Sequence, residues 1–156
     1  MDPRAYRVEN RVGRLLEARV HGLRDRSDVD AYAQEIGVQV LRMPKHVRPV
    51  LCADHRPVAI YPQPAADRLT ELFLEMNERL ERVAILVAQS NATLNLQLAR
   101  IVREAGFTAR RVFLDVRQAE AHLATVLEPS ELTRMREFLA EIAPGDPQPL
   151  SSRLRA

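Results

Sequence analysis

The sequence predicts an α/β protein with an N-terminal β-hairpin, then alternating strands and helices that form a mixed four- or five-stranded sheet, and one extra C-terminal helix. The strongest observation is a run of six apolar residues at 83–88, which is typical of a strand covered on both faces. Apolar residues recur at helical spacing on both sides of this run, at 69–80 and at 94–105. Helix, buried strand and helix in this order are the repeating unit of an α/β sheet.

The N-terminal part contains the predicted hairpin and one helix. Tyr6–Glu9 and Leu15–Val20 are joined by a glycine-containing connection, which predicts an antiparallel pair. Residues 27–28, Ser-Asp, introduce a helix that we expect to end at Gly37. Four side chains of this helix are expected to point inward: Val29, Tyr32, Ala33 and Ile36.

A second strand is expected at Val50–Asp54, after a polar linker that contains two prolines. Residues 58–61 either extend this strand after a bend or form a separate short strand, and the sequence leaves both alternatives open. Residues 62–64, Pro-Gln-Pro, are a natural start for the helix whose apolar stripe lies at 69–80. The helix after the buried strand is expected to end at Gly106.

The last third of the chain predicts a strand at 111–116, a helix at 117–127 and a final helix at 130–143, which begins at about Ser130. We therefore expect one domain, residues 1–143, and a mobile tail at 144–156, where prolines replace any periodic apolar pattern. The final helix has an apolar stripe that must be covered, either by the sheet or by a partner chain such as a second copy. The stripe consists of Leu132, Met135, Phe138, Leu139 and Ile142.

The composition suits a single folded domain and argues against a charge-driven partner. With 156 residues, 46% hydrophobic and 28% charged, the chain is neither a disordered tail nor a disulfide miniprotein. Its 23 cations face 21 anions, and Lys45 is the only lysine. Because glutamates are interleaved with the arginines, we expect ion pairs on solvated helix faces, and with 4% aromatics and no tryptophan no nucleic-acid partner is expected.

The single cysteine, Cys52, lies in an apolar run and is expected to be a small buried side chain. The first ten residues lack the apolar stretch of a signal peptide or membrane anchor. These features predict the cytoplasm of a bacterium-like cell and no stable membrane insertion.

Ligands of an open α/β sheet usually lie beyond the carboxyl ends of the strands, and several polar side chains fall there. A triad of Ser90, His55 and either Asp54 or Asp115 can be written, but no Gly-x-Ser-x-Gly turn surrounds the serine, so catalysis is not expected. We predict instead a binding surface. Its candidate residues are Asp54, His55, Arg56, Ser90, Asn91, Asp115 and Arg117.

No metal or cofactor is expected. The histidines are not spaced as metal ligands, and each is expected to be a lone surface side chain: His21, His46, His55 and His122. The five glycines are scattered singly, so neither a dinucleotide fingerprint nor a phosphate-binding loop is present.

The order of elements over residues 6–127 resembles the STAS fold, in particular its SpoIIAA-like branch. The closest local matches are residues 77–86, followed by Gln97 and Arg100, and residues 110–115, which lead into a helix. The resemblance implies a small cytoplasmic regulatory or scaffolding module that binds a protein. As in some relatives, a nucleotide, a lipid headgroup or another small anion at the strand rim is the alternative, held by Arg56 and Arg117.

Some members of this family are phosphorylated on a serine or threonine that opens the helix after the third strand. The corresponding segment here, Cys-Ala-Asp-His-Arg-Pro-Val at residues 52–58, contains no hydroxyl side chain. The resemblance therefore does not carry a phosphorylation switch to this chain.

Overall fold

The computed structural model describes residues 5–141, which contain one five-stranded sheet. The spatial order of the strands follows the chain, and β1 pairs antiparallel with β2 while the remaining neighbours are parallel. The predicted α/β class with an N-terminal hairpin and a mixed sheet is confirmed. The strands are β1 (Tyr6–Glu9), β2 (Leu15–Val20), β3 (Val50–Asp54), β4 (Arg82–Leu86) and β5 (Arg110–Phe113).

Five helices cover the two faces of this sheet. The first three pack on one side, which we call the three-helix face, and the last two pack on the other, the two-helix face. Because both faces are covered, the central strands are apolar without alternation, as the run at 83–88 predicted. The helices are α1 (Arg26–Leu41), α2 (Gln63–Met76), α3 (Ala92–Ala105), α4 (Val116–Ala124) and α5 (Pro129–Ala140).

Successive residues of a strand point to opposite faces, and β2 shows this most clearly. Leu16 and Ala18 belong to the core of the three-helix face, whereas Leu15 belongs to the core of the two-helix face. Glu17 and Arg19 follow Leu15 at the same period and point towards α5, with which both form hydrogen bonds. The two-helix face therefore receives charged side chains where the three-helix face receives apolar ones.

The prediction that α1 ends at Gly37 is wrong. The helix continues to Leu41, and Gly37 lies in its interior. Glycine costs about 1 kcal/mol relative to alanine inside a helix. Beyond it, the half-buried Val40 and the buried Met43 pack against the core of the three-helix face, which offsets that cost.

Residues 58–61 form neither of the two expected strands; they belong to an irregular loop between β3 and α2. The helix after β4 ends at Gly106 in the left-handed conformation (φ 74°), as predicted. The ends of β4, β5 and α4 shift by one to three residues from the predicted bounds.

Helix α5 packs on the sheet over β2, which confirms that the sheet domain covers its apolar stripe. It begins at Pro129 rather than Ser130, because Glu128 and Glu131 form a capping box around the first turn. Met135, Phe138 and Leu139 are buried in the core of the two-helix face. The predicted contribution of Ile142 and the predicted mobile tail at 144–156 lie outside the described residues.

Candidate functional site

The structure distributes the seven predicted rim residues over three loops at one edge of the sheet. Asp54 ends β3 and is followed by His55 and Arg56, Ser90 and Asn91 lie between β4 and α3, and Asp115 and Arg117 lie at the start of α4. Within residues 5–141, no hydrogen bond or ion pair joins Ser90 or Asp115 to the first three. The rim residues therefore do not form one convergent constellation.

Asp54 is a buried counter-ion for two arginines. Its Oδ2 accepts a hydrogen bond from Arg19 Nε (2.9 Å), and its Oδ1 accepts one from Arg56 Nε (2.9 Å). The same two guanidinium groups donate to the last carbonyls of α5, Arg19 to Phe138 O (2.7 Å) and Arg56 to Leu139 O (2.8 Å). Burial alone raises the pKa of Asp54, but the hydrogen bonds and charges of the two arginines hold it below its usual value.

Further ion pairs extend this arrangement along α5. Glu17 on β2 accepts hydrogen bonds from Arg134 Nε (2.9 Å) and Nη2 (2.8 Å), and Arg134 also donates to Glu141 (2.8 Å). Arg19 reaches the same Glu141 at 3.5 Å. We call the six residues the α5 charge network: Glu17, Arg19, Asp54, Arg56, Arg134 and Glu141. Arginines that hold the last carbonyls of a helix cap its negative end, so this network fastens α5 to the sheet.

His55 lies next to Asp54 in the chain but points to the opposite face of the sheet, so the two side chains form no catalytic pair. Its side chain is 1% exposed, and its Nδ1 forms a hydrogen bond with the Tyr61 hydroxyl (2.7 Å). Burial lowers the pKa of His55 to about 4, against the opposing charge of Asp54.

The prediction that every histidine lies on the surface is therefore wrong. Among the four, His46 is exposed, His21 and His122 are half-buried, and His55 is buried. His55 directly follows the predicted strand, at a position where the apolar pattern ends. The pattern therefore could not predict that this side chain is buried.

The other rim residues have capping roles or are exposed. Asn91 caps α3 through Oδ1, which accepts from Leu94 N (3.0 Å), and its Nδ2 donates to Val58 O (3.1 Å) and Ala59 O (2.8 Å). Asp115 caps α4 and accepts from the Arg117 amide (2.8 Å). The side chains of Ser90 and Arg117 are exposed. These contacts satisfy backbone groups at helix starts and at a loop.

A groove that sequence reasoning did not identify lies between the C-terminal halves of α1 and α2 and has a volume of about 370 Å³. Leu41 at its end is 86% exposed. The signal for this groove was present in the sequence, because the apolar stripe of α1 continues past Gly37. Eight lining residues are apolar and two are charged: Ala33, Ile36, Gly37, Val40, Leu41, Leu72, Met76 and Leu80, with Glu75 and Arg79.

Basic side chains without acidic partners lie in this groove or on the loop that follows α1, and Arg79 is the one that lines the groove itself. Arg42, Lys45, Arg48 and Arg79 are exposed, and none of them forms an ion pair with any residue from 5 to 141. The loop before β3 that carries three of them lies beside the residues after α2, because the Glu81 amide donates to Pro49 O (2.9 Å). We call Arg42, Lys45, Arg48 and Arg79 the basic rim of the groove.

The expected pairing of arginines and glutamates on helix faces is therefore only partly correct. Arg100 and Glu104 form the predicted i, i+4 pair on α3 (3.0 Å). Glu75, however, pairs with Arg68 (3.1 Å) and leaves Arg79 unpaired. The remaining arginine of interest, Arg110, is not on a solvated helix face at all, since it is 2% exposed.

Arg110 contributes to a small cavity beneath the groove, between the sheet and helices α1 and α2, of about 10 Å³ or roughly one water molecule. Tyr32 and His55 line the same cavity. Arg110 Nη1 donates to Asn77 Oδ1 (2.7 Å) and Nη2 donates to Phe73 O (3.2 Å). Burial lowers the pKa of Arg110 to about 10, against the neighbouring hydroxyl of Tyr32.

Residues 5–141 contain neither a cluster of metal-ligating side chains nor a membrane-spanning helix. No three His, Cys, Asp or Glu side chains are grouped so that they would hold a metal ion. No helix in this part of the chain combines the length and apolar character that crossing a membrane requires. Cys52 is buried, as predicted, and burial raises the pKa of its thiol well above the usual range.

Comparison of the chain with known protein families and with curated proteins finds no match. The function must therefore be inferred from the geometry of the groove and the rim.

Proposed function

We propose that this chain is a non-catalytic, STAS-like regulatory or scaffolding module of the cytoplasm that acts by binding another protein. The groove between α1 and α2, with its basic rim, is its docking surface. The observation that carries the proposal is an apolar groove that is lined by Arg79 and followed in the chain by three exposed cations, none of the four having an ion-pair partner in residues 5–141. Support also comes from the order of strands and helices, on which the resemblance to the STAS fold depends.

The strand rim supports this function less well than the groove. Arg56, which was expected to hold an anion, is engaged by Asp54 and by Leu139 O. Asn91 and Asp115 are engaged by the backbone. Binding of a small anion at the strand rim stays a prediction, but the rim offers fewer unoccupied hydrogen-bond donors than the sequence indicated.

The chemistry of the groove indicates the kind of partner. A cleft between two helices accepts the apolar side chains of a third helix, which presents them at positions i, i+3 or i+4 and i+7. Because the basic rim is positive and Glu75 is neutralised by Arg68, acidic residues beside the apolar stripe complement the charge. The partner segment is therefore an acidic amphipathic helix.

Selection of peptides from a displayed library of random 16-residue sequences tests this proposal. We expect the enriched peptides to combine an apolar helical stripe with Asp or Glu. We also expect the triple variant Arg42→Glu, Lys45→Glu, Arg48→Glu to weaken their binding by at least tenfold in fluorescence anisotropy. The matched control is Arg100→Glu on α3, an exposed arginine away from the groove, which should leave binding within twofold.

The Gly37→Leu variant tests the groove itself. A Cβ at position 37 meets no atom within 4 Å and Gly37 lines the groove, so we expect leucine to project into the groove and to improve helix propensity. We expect this variant to fold and to lose peptide binding. The proposal is overturned if the selected peptides are not acidic, or if they bind Gly37→Leu as they bind the wild type. It is also overturned if wild type forms a dimer that Gly37→Leu abolishes, because the occupant is then a second copy.

A further inference from the structure

Arg110 differs from the other buried arginine of this fold in having no counter-ion. Arg19 is similarly buried, but its guanidinium pairs with Asp54 at 2.9 Å. No carboxylate among residues 5–141 lies within ion-pair distance of Arg110. A buried charge is costly unless another charge compensates it, so an uncompensated guanidinium requires a reason.

The hydrogen-bonding capacity of Arg110 is only partly used. A guanidinium has five N–H donors, and the two contacts with Asn77 and Phe73 occupy two of them. The Phe73 ring lies under the guanidinium carbon at 4.5 Å and supplies an apolar and weakly negative surface. Three donors thus remain without an acceptor in the described part of the chain.

A second buried polar group lies beside these donors. Tyr32 is 2% exposed and lines the same cavity, and its hydroxyl forms no hydrogen bond with any residue between 5 and 141. Two adjacent groups that donate to anions, one of them charged, therefore share one cavity. Both groups are able to donate to an acceptor with negative charge that enters this cavity.

The cavity is connected by its walls to the apolar groove above it. Ile36, Leu72, Met76 and Leu80 line both spaces. Met76 is unbranched and adapts its shape more readily than the other three side chains. A ligand that displaces Met76 meets apolar surface in the groove and N–H and O–H donors at the inner end.

We propose that the groove and the cavity together bind a small amphiphilic anion, whose carboxylate pairs with Arg110 and the Tyr32 hydroxyl and whose hydrocarbon chain lies between α1 and α2. The inference uses the same groove as the proposed function, and it adds that this ligand competes with the partner helix. The ligand class is a monocarboxylate with an unbranched apolar chain.

Isothermal titration calorimetry with sodium acetate, hexanoate, octanoate and decanoate, below their micelle concentrations, tests the inference. We expect affinity to rise by about fourfold for each added methylene, as burial of hydrocarbon requires. Decanol is the uncharged control and should bind at least tenfold more weakly than decanoate. The inference is overturned if decanoate gives no saturable binding, if decanol binds as tightly, or if chloride alone reproduces the effect.

Variants locate the two ends of the ligand. Tyr32→Phe removes one hydroxyl and keeps the ring, and we expect it to weaken decanoate binding by about fivefold while leaving decanol unchanged. Arg110→Gln should abolish the difference between decanoate and decanol, and Gly37→Leu should abolish both. If Tyr32→Phe and Arg110→Gln bind decanoate like the wild type, the assignment of the anion site is wrong.

Peptide binding and decanoate binding can be disproved independently of each other. The triple variant of the basic rim should lose the acidic peptide but keep decanoate affinity within about twofold. Decanoate binding without peptide binding removes the proposed function alone, and the opposite result removes this inference alone. If both ligands bind wild type, decanoate should displace the labelled peptide, and simultaneous binding would contradict the competition.

Discussion

The two faces of the sheet differ in whether a buried charge is compensated by an opposite charge. On the two-helix face, Arg19 and Arg56 share the carboxylate of Asp54, and each donates a hydrogen bond to a carbonyl at the end of α5. On the three-helix face, the neutral His55 is hydrogen-bonded to a tyrosine, and Arg110 has only neutral acceptors. Compensated charge therefore fastens a helix on one face, whereas on the other face the uncompensated guanidinium is the group to which we assign the proposed anion.

The two faces also differ in apolar content, and within residues 5–141 the buried ion pairs lie on the face with the smaller core. Helices α1, α2 and α3 contribute long apolar stripes to a large core, and the ion pairs that join α1 to α2, Arg26–Glu71 and Arg68–Asp30, have exposed carboxylates. The core under α4 and α5 is smaller, and α5 presents a buried Glu131 as well as apolar side chains. The α5 charge network therefore supplies the specific contacts that place this helix.

The largest expected effect comes from removing the counter-ion on the two-helix face. We expect Asp54→Ala to lower the free energy of unfolding by about 3–5 kcal/mol, because it removes a counter-ion that is 2% exposed and leaves buried Arg19 with only the more distant Glu141. Urea denaturation followed by far-ultraviolet circular dichroism measures the change. Glu104→Ala, which breaks an exposed pair, is the control and should cost about 0.5 kcal/mol or less. A loss below about 1 kcal/mol for Asp54→Ala would remove the contrast between the two faces.

The next effect concerns the three-helix face and depends on pH. His55 has a pKa of about 4 in the folded protein against 6.5 for the ordinary side chain, so the unfolded chain binds a proton first as the pH falls. The contribution of the neutral His55 side chain to the free energy of unfolding is fully present above about pH 6.5. It should decrease by about 3 kcal/mol as the pH falls to 4. The pKa of His122 is also lowered, mainly by burial, and contributes in the same direction.

Variants of two histidines separate this effect from general acid denaturation. His55→Asn keeps a polar group near Tyr61 but does not titrate, so its unfolding free energy should change much less between pH 6.5 and 4. His46→Asn, at an exposed position, should follow the wild-type curve. If the wild type and His55→Asn lose the same stability over this interval, His55 is not the group that titrates.

A smaller effect is expected where the hairpin meets α5. Gly13 has φ +54°, and a Cβ there would overlap the carboxylate of Glu131, which accepts the amides of Arg14 (2.7 Å) and Glu128 (2.8 Å). We expect Gly13→Ala to cost about 2 kcal/mol, from backbone strain and the displaced carboxylate.

Hydrogen exchange distinguishes a local from a global effect of this substitution. Amides of α5 should exchange faster in Gly13→Ala, while amides of α2 and α3 should change only with the global stability. Gly22→Ala is the control, since no atom lies within 4 Å of a Cβ at this position. Equal costs for the two substitutions would show that the hairpin does not support α5.

Much of the fold was predictable because it depends on local patterns. The hairpin and β3 follow from short apolar segments, and their predicted bounds agree with the structure. The errors occur where tertiary packing overrides a local signal. Gly37 is a helix terminator by propensity, yet the packing of Val40 and Met43 continues the helix through it.

The candidate site was less predictable than the fold. The expectation that ligands lie beyond the carboxyl ends of the strands located the polar residues of the rim. It did not show which of these side chains cap helices and which are available to bind a ligand. Arg56 is engaged by Leu139 O, 83 positions away in the chain. Periodicity describes neighbours within one helix or strand, so it contains no information about such contacts.

The sequence by itself determined the α/β alternation, the hairpin and the buried position of Cys52, because these depend on the local distribution of apolar residues. Only the tertiary structure decided which arginines are compensated. Arg19 meets Asp54 from a neighbouring strand and α5 from 119 residues away, whereas Arg110 reaches no carboxylate in residues 5–141. The physical reason is that the energy of a buried charge depends on the groups within a few ångströms, which folding brings together from distant parts of the chain.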